Sequence, residues 1–232
     1  DNNLPFLNGV NIDLVGTDAI GIFTTKDGNI DYSGNIESTT DRNKGIINTG
    51  LGNTANNGSI KLTGVSSIGM YAENSTIRNS NIINNGSIEV RNGSVIGSVL
   101  NSAVGLYGKN IVSVSNNGNI KVGTDAVGIY GEKTTVTNSN NIISTGVKST
   151  GIYGLQSDVY NHGNIALGNN SNGVFVKNGS ITNTGNISVG DNSSSGIYGA
   201  GSTNVQHNLG TISVGKESVG IATESGNILV SS

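Results

Sequence analysis

The feature that most constrains this chain is a phrase it keeps repeating. A glycine, an apolar residue and then usually an aromatic one begin at Gly21, Gly45, Gly69, Gly105, Gly128, Gly151, Gly173, Gly196 and Gly220. Seven of the eight intervals are 22–24 residues, and the exception, Gly69 to Gly105, is 36. A fixed period of this length marks a stack of like units rather than one globular core. A second phrase keeps the same beat: Gly34-Asn35-Ile36, Gly58-Ser59-Ile60, Gly86-Ser87-Ile88, Gly118-Asn119-Ile120, Gly163-Asn164-Ile165, Gly185-Asn186-Ile187 and Gly210-Thr211-Ile212. A third reads apolar-x-Asn, as in Val114-Ser115-Asn116, Val136-Thr137-Asn138 and Ile181-Thr182-Asn183. Three short alternating segments per repeat, bounded by Gly, Asn or Ser, read as three strands.

One such coil has too few inward apolar side chains to offset the ~1–2 kcal/mol per residue that backbone ordering costs. Stacked coils bury each other's strand edges, so stability belongs to the stack. The expected fold is all-β: a right-handed parallel β-helix, or β-solenoid, of nine or ten coils spanning residues 1–232. The hand follows from the strong preference of parallel crossovers. Glycines in the recurrent GxxxxG connectors, such as Gly123/Gly128 and Gly146/Gly151, are expected to supply positive φ at tight corners. Asn56, Asn84, Asn116, Asn138, Asn161, Asn183 and Asn208 recur once per coil. They are expected to form an amide ladder, each side chain donating to one neighbour and accepting from the other. The long interval hides about 13 extra residues. An excursion is expected within residues 80–103, with Asn92-Gly93 as a hairpin turn between Arg91 and Ser94.

Composition agrees with a solenoid. Aromatics are 4% of the chain, Trp and Cys are absent, Gly numbers 36 and Pro one. Charged residues are only 12%, which does not match strongly charged disorder. The net charge of −3, with scattered Lys and Arg, gives no basic stripe for nucleic acid. No apolar run is long enough to cross a membrane as a helix. Without a start Met or signal peptide, the chain is expected to be a piece of a longer protein.

Alternation after the inward Ile of each GIYG phrase sends the next side chain outward. Tyr71, Tyr107, Tyr130, Tyr153, Phe175 and Tyr198 should therefore form an outer column. It serves either as a shielding stack or as a recognition stripe for protein or glycan. Arg91 and Asn92 are candidate contacts on the inserted loop. Chemistry is otherwise sparse. His162 and His207 are about two coils apart, too far to share a metal, and both read as turn residues. Asp18, Asp125, Asp191 and Glu217 share a connector slot but lie on separated coils. No nucleophile–His–acid arrangement recurs. The chain is read as non-catalytic, with no metal or cofactor. The alternative is a carbohydrate-active β-helix, a polysaccharide lyase or glycosidase, which needs acids on adjacent coils beside a basic group.

The tandem GIYG, GNISVG and NxGN phrases in a Cys-free, Gly/Asn/Ser/Ile-rich chain resemble the passenger domains of bacterial autotransporters. They are most similar to the large fusobacterial outer-membrane adhesins. The likeness covers residues 12–230. It implies a type V secreted β-helix at the cell surface, monomeric, reaching the membrane only through a C-terminal barrel that this sequence does not contain. It also implies a role in adhesion and virulence, with an unidentified protein or glycan on a host or bacterial surface as partner.

Overall fold

A computed structural model describes residues 9–93, 102–144 and 146–231. Among them are 25 strands and no helix. Every strand pairing is parallel. The GNI phrases build one nine-stranded sheet, from Ile12–Leu14 to Ile212–Val214. The GIYG and apolar-x-Asn phrases build two faces of a sixteen-stranded sheet, joined where Ile68–Asn84 and Ala103–Asn116 run through as single strands. Nine strands of the first sheet mean nine coils, stacked to roughly 40 Å at the ~4.8 Å strand spacing.

Like lies on like within the core. Ile36, Ile60, Ile88, Ile120, Ile142, Ile165 and Ile187 form one buried column. Met70, Leu106, Ile129, Ile152, Val174 and Ile197 form a second, each paired with the residue one coil on. Each such side chain contributes about 1.5–3 kcal/mol on burial. That burial exists only because the adjacent coil supplies the opposing face.

The corners depart from expectation in an informative way. The GIYG glycines are not the left-handed residues. That conformation falls on non-glycine positions two residues after the first connector glycine: Asp18, Ser66, Asp125, Lys148, Asn170 and Glu217, with φ between 51° and 57°. The GIYG glycines answer a different need. A Cβ on Gly128 would sit 2.5 Å from the Gly151 carbonyl oxygen and 2.7 Å from Ile142 Cγ2. The same clash recurs at Gly45, Gly69, Gly105, Gly151 and Gly173. Close approach between coils, rather than torsion, fixes this glycine column.

The long interval is two insertions. The register offset is 24 residues at Lys44–Ile68 but 28 at Gly52–Ser80, so four residues are added between them. They make an exposed swelling over residues 75–79, outside the expected 80–103 range. The offset then rises from 28 at Leu62–Val90 to 36 at Ile68–Val104, which places eight more residues between Val90 and Val104. Most of this second insertion, residues 94–101, lies outside the described residues. The hairpin expected at Asn92-Gly93 runs into Ser94 and beyond, outside the described residues; Asn92 and Gly93 themselves bond to adjacent coils. The Asn92 carbonyl accepts from Ser66 N at 3.0 Å, and Gly93 N donates to the Thr124 carbonyl at 2.8 Å. Both residues continue the corner of the stack.

Candidate recognition flanks

The six aromatic residues form one continuous stack. Adjacent ring centroids are 4.7–5.5 Å apart with interplanar angles of 8–18°. Four of the rings, Tyr71, Tyr107, Tyr130 and Tyr153, pack with Ile68, Val104 and Val127 as an apolar cluster separate from the solenoid core. Tyr107 and Tyr130 are only 5% exposed. Ring faces are thus used up by neighbouring rings, each pair being worth ~0.5–1.5 kcal/mol beyond its burial. The middle of the column shields the sheet; what it offers to a partner is its phenolic edge.

That edge is charged. The Tyr71 hydroxyl donates to Glu73, and the Tyr130 hydroxyl to Glu132 at 2.9 Å. Lys109 lies between the two acids, 3.3 Å from Glu73 and 3.7 Å from Glu132. Burial pushes the phenols of Tyr71, Tyr107 and Tyr130 well above their usual value, and the charges on Glu73 and Glu132 add to it. The hydrogen bond from Lys109 to Glu73, with the charges of both glutamates, raises the ammonium as well. The register explains the cluster: Glu73, Lys109 and Glu132 are one position on three successive coils.

A second flank went unnoticed in the sequence. Asp13, Glu37, Lys61, Glu89 and Lys121 occupy one outward position on the first five coils of the nine-stranded sheet. An open furrow of ≈ 530 Å³ runs beside them, lined in part by Asp13, Glu37, Lys61 and Arg91. It meets a neighbouring ≈ 300 Å³ furrow at Arg91, where Lys121 pairs with Glu89 at 3.3 Å. The signal was the variable residue after each GNI isoleucine. Arg91 thus borders a groove, while Asn92 is a corner device whose Oδ1 accepts from Thr124 N at 3.0 Å.

The remaining candidates are structural. Asn56, Asn84, Asn116, Asn138, Asn161 and Asn183 do form a fully buried amide ladder, with successive Nδ2–Oδ1 distances of 2.7–2.8 Å. Its ends are not asparagines. Tyr32 pairs in register with Asn56 and closes the first coil by donating to the Val10 carbonyl at 2.7 Å. His207, not Asn208, pairs with Asn183, so it belongs to a strand rather than a turn. His162 is an exposed corner residue 2.8 Å from the Thr184 hydroxyl. Asp18 is gripped by Arg42 through two hydrogen bonds of 2.7 and 2.8 Å, which hold its carboxyl below the usual range. Asp125 and Glu217 share its left-handed slot, but Asp191 sits one residue earlier than Asn192, which fills that slot. Among the described residues, no three His, Asp or Glu side chains gather as a metal site, and no helix is long and apolar enough to cross a membrane. No family model, curated protein or solved structure matches this chain.

Proposed function

We propose that this chain is a non-catalytic binding segment of a surface-exposed bacterial adhesin of the autotransporter type, engaging a protein or glycan through its flanks. The observation that carries this reading is the in-register stacking of chemically distinct columns along a rod, which presents long side faces to a partner. Solenoids use such extended faces for binding. The charged furrow beside Lys61 and Arg91 is the first place to look, because charged residues there can change without disturbing the core. The test is adhesion of the purified chain to host cells and to bacterial surfaces. The wild type is compared with a Lys61→Glu, Arg91→Glu double variant whose circular dichroism is unchanged. Binding that weakens in the variant supports the reading; a chain that binds no cell or glycan surface removes it.

One observation favours a second reading. Asp13 and Glu37 are register neighbours on adjacent coils, with Lys61 and Arg91 in the same furrow. Glycoside cleavage uses paired carboxylates of this kind. Release of reducing or unsaturated sugar ends from polysaccharides, abolished by Asp13→Asn or Glu37→Gln, would replace adhesion with carbohydrate-active catalysis.

A further inference from the structure

The buried amide ladder has a direction. Each Nδ2 donates to the Oδ1 one coil nearer the C-terminus, from Asn56 through Asn84, Asn116, Asn138 and Asn161 to Asn183. Backbone groups lock that direction. Asn161 Nδ2 also donates to the Gly163 carbonyl at 3.1 Å, and Asn183 Nδ2 to the Gly185 carbonyl at 2.8 Å. Exposed asparagine rows run the other way: Asn85 donates to Asn57 and Asn117 to Asn85. The polarity of the buried row is therefore a property of that row and not of every asparagine in the rod.

Asn183 is thus committed. Its Oδ1 already accepts from Asn161 at 2.7 Å, so only an Nδ2–H is left for the next coil. There it meets His207 Nδ1 at 3.0 Å. For this contact to be a hydrogen bond, Nδ1 must carry a lone pair and the ring proton must sit on Nε2. Reversing the Asn183 amide to suit a protonated ring would set Nδ2 against Asn161 Nδ2 and abandon the Gly185 carbonyl. His162 faces no such constraint, because the Thr184 hydroxyl it meets can rotate to donate or accept.

We propose that His207 is a pH-operated latch: the seam between the seventh and eighth coils is closed by the neutral imidazole and loosens when the ring takes a second proton. A second N–H at Nδ1 would point at the Asn183 amide hydrogens, with His207 only 9% exposed to water. No acid is placed to compensate. The strands against it, Ser180–Asn183 and Ile228–Val230, hold no ionisable side chain, nor does the rest of its own strand, Asn204–His207. The opposite strands Ile187–Val189 and Ile212–Val214 hold none either. Glu224, on Val219–Ser225, is engaged by Tyr198 and the Gly201 amide. Beyond the latch lies the most exposed coil, with Val230, the register partner of His207, 61% exposed.

Two measurements on the whole chain decide the matter. Nitrogen-15 NMR at neutral pH should find His207 as the Nε2–H tautomer; an Nδ1–H tautomer overturns the proposal. Hydrogen-exchange protection of residues 187–231 is then compared above and below the usual imidazole range near pH ~6.5. Wild type and His162→Asn should lose roughly ten- to hundredfold in protection on acidification, as expected for one buried hydrogen bond replaced by opposed donors. His207→Asn continues the ladder with an acceptor that does not titrate and should hold its protection. Equal losses in wild type and His207→Asn, or no loss in wild type, refute the latch.

Discussion

Consider Asn138→Ala, in the middle of the buried ladder. Asn138 accepts from Asn116 at 2.8 Å and donates to Asn161 at 2.8 Å, and all three side chains are fully buried. Truncation leaves one donor and one acceptor facing a space that neither can cross. Each buried group left unsatisfied costs about 1–3 kcal/mol, so the pair costs about 2–6 kcal/mol. For a chain of this length each kcal/mol lowers the melting temperature by about 2–4 °C, giving a fall of roughly 5–20 °C. The control is Asn117→Ala. Its side chain makes the same kind of bond, to Asn85 at 2.9 Å, but in an exposed row where water can substitute. That change should cost within about 0.5 kcal/mol. Thermal unfolding followed by circular dichroism measures both. Should the two variants melt within about 2 °C of each other, burial does not set the worth of the ladder and the reasoning fails.

Two further outcomes follow from the corners and the aromatic stack. Gly128→Ala forces a Cβ against the Gly151 carbonyl and Ile142, neither of which can retreat, and should destabilise by at least about 1–3 kcal/mol. Gly16→Ala, with nothing within 4 Å of its added Cβ, should be neutral or stabilising when both variants are unfolded in urea. In alkali, the raised phenols of Tyr71, Tyr107 and Tyr130 keep protons that the unfolded chain gives up. Their contribution is complete below pH ~10 and is lost as pH rises beyond it. Phenolate absorbance from the stack should therefore appear together with unfolding; ionisation of these rings while the circular dichroism is still native would contradict their burial.

Periodicity made the stack legible because every coil solves the same packing problem with the same residue types. The isoleucine columns and the body of the asparagine ladder could be read for that reason. The ends of the ladder could not, since Tyr32 and His207 do its work with different chemistry and break the pattern being counted. The corner glycines were located correctly but explained wrongly. Sequence shows that a side chain is missing, and only the neighbouring coil shows what it would strike. Asp13, Glu37 and Lys61 lie along the furrow at the variable position after the GNI isoleucine, while Arg91, visible in the sequence as a candidate contact, borders the furrow from outside that column. The 36-residue interval was visible as a length, yet its division into a four-residue swelling and a later loop depends on register offsets between strands.

The claim beneath everything else is that successive coils lie directly over one another in the stated register. The chain lacks cysteine, so two introduced thiols give a clean reading. Thr137 and Tyr160 are register partners, and Thr182 lies one coil beyond Tyr160. Parallel partners ~4.8 Å apart are within reach of a disulfide or the shortest thiol cross-linker, whereas positions two coils apart, at ~10 Å, are not. Thr137→Cys with Tyr160→Cys should cross-link rapidly within one molecule, and Thr137→Cys with Thr182→Cys should not. Efficient linkage of the second pair, or none of the first in a folded chain, would contradict the stacking on which the account rests.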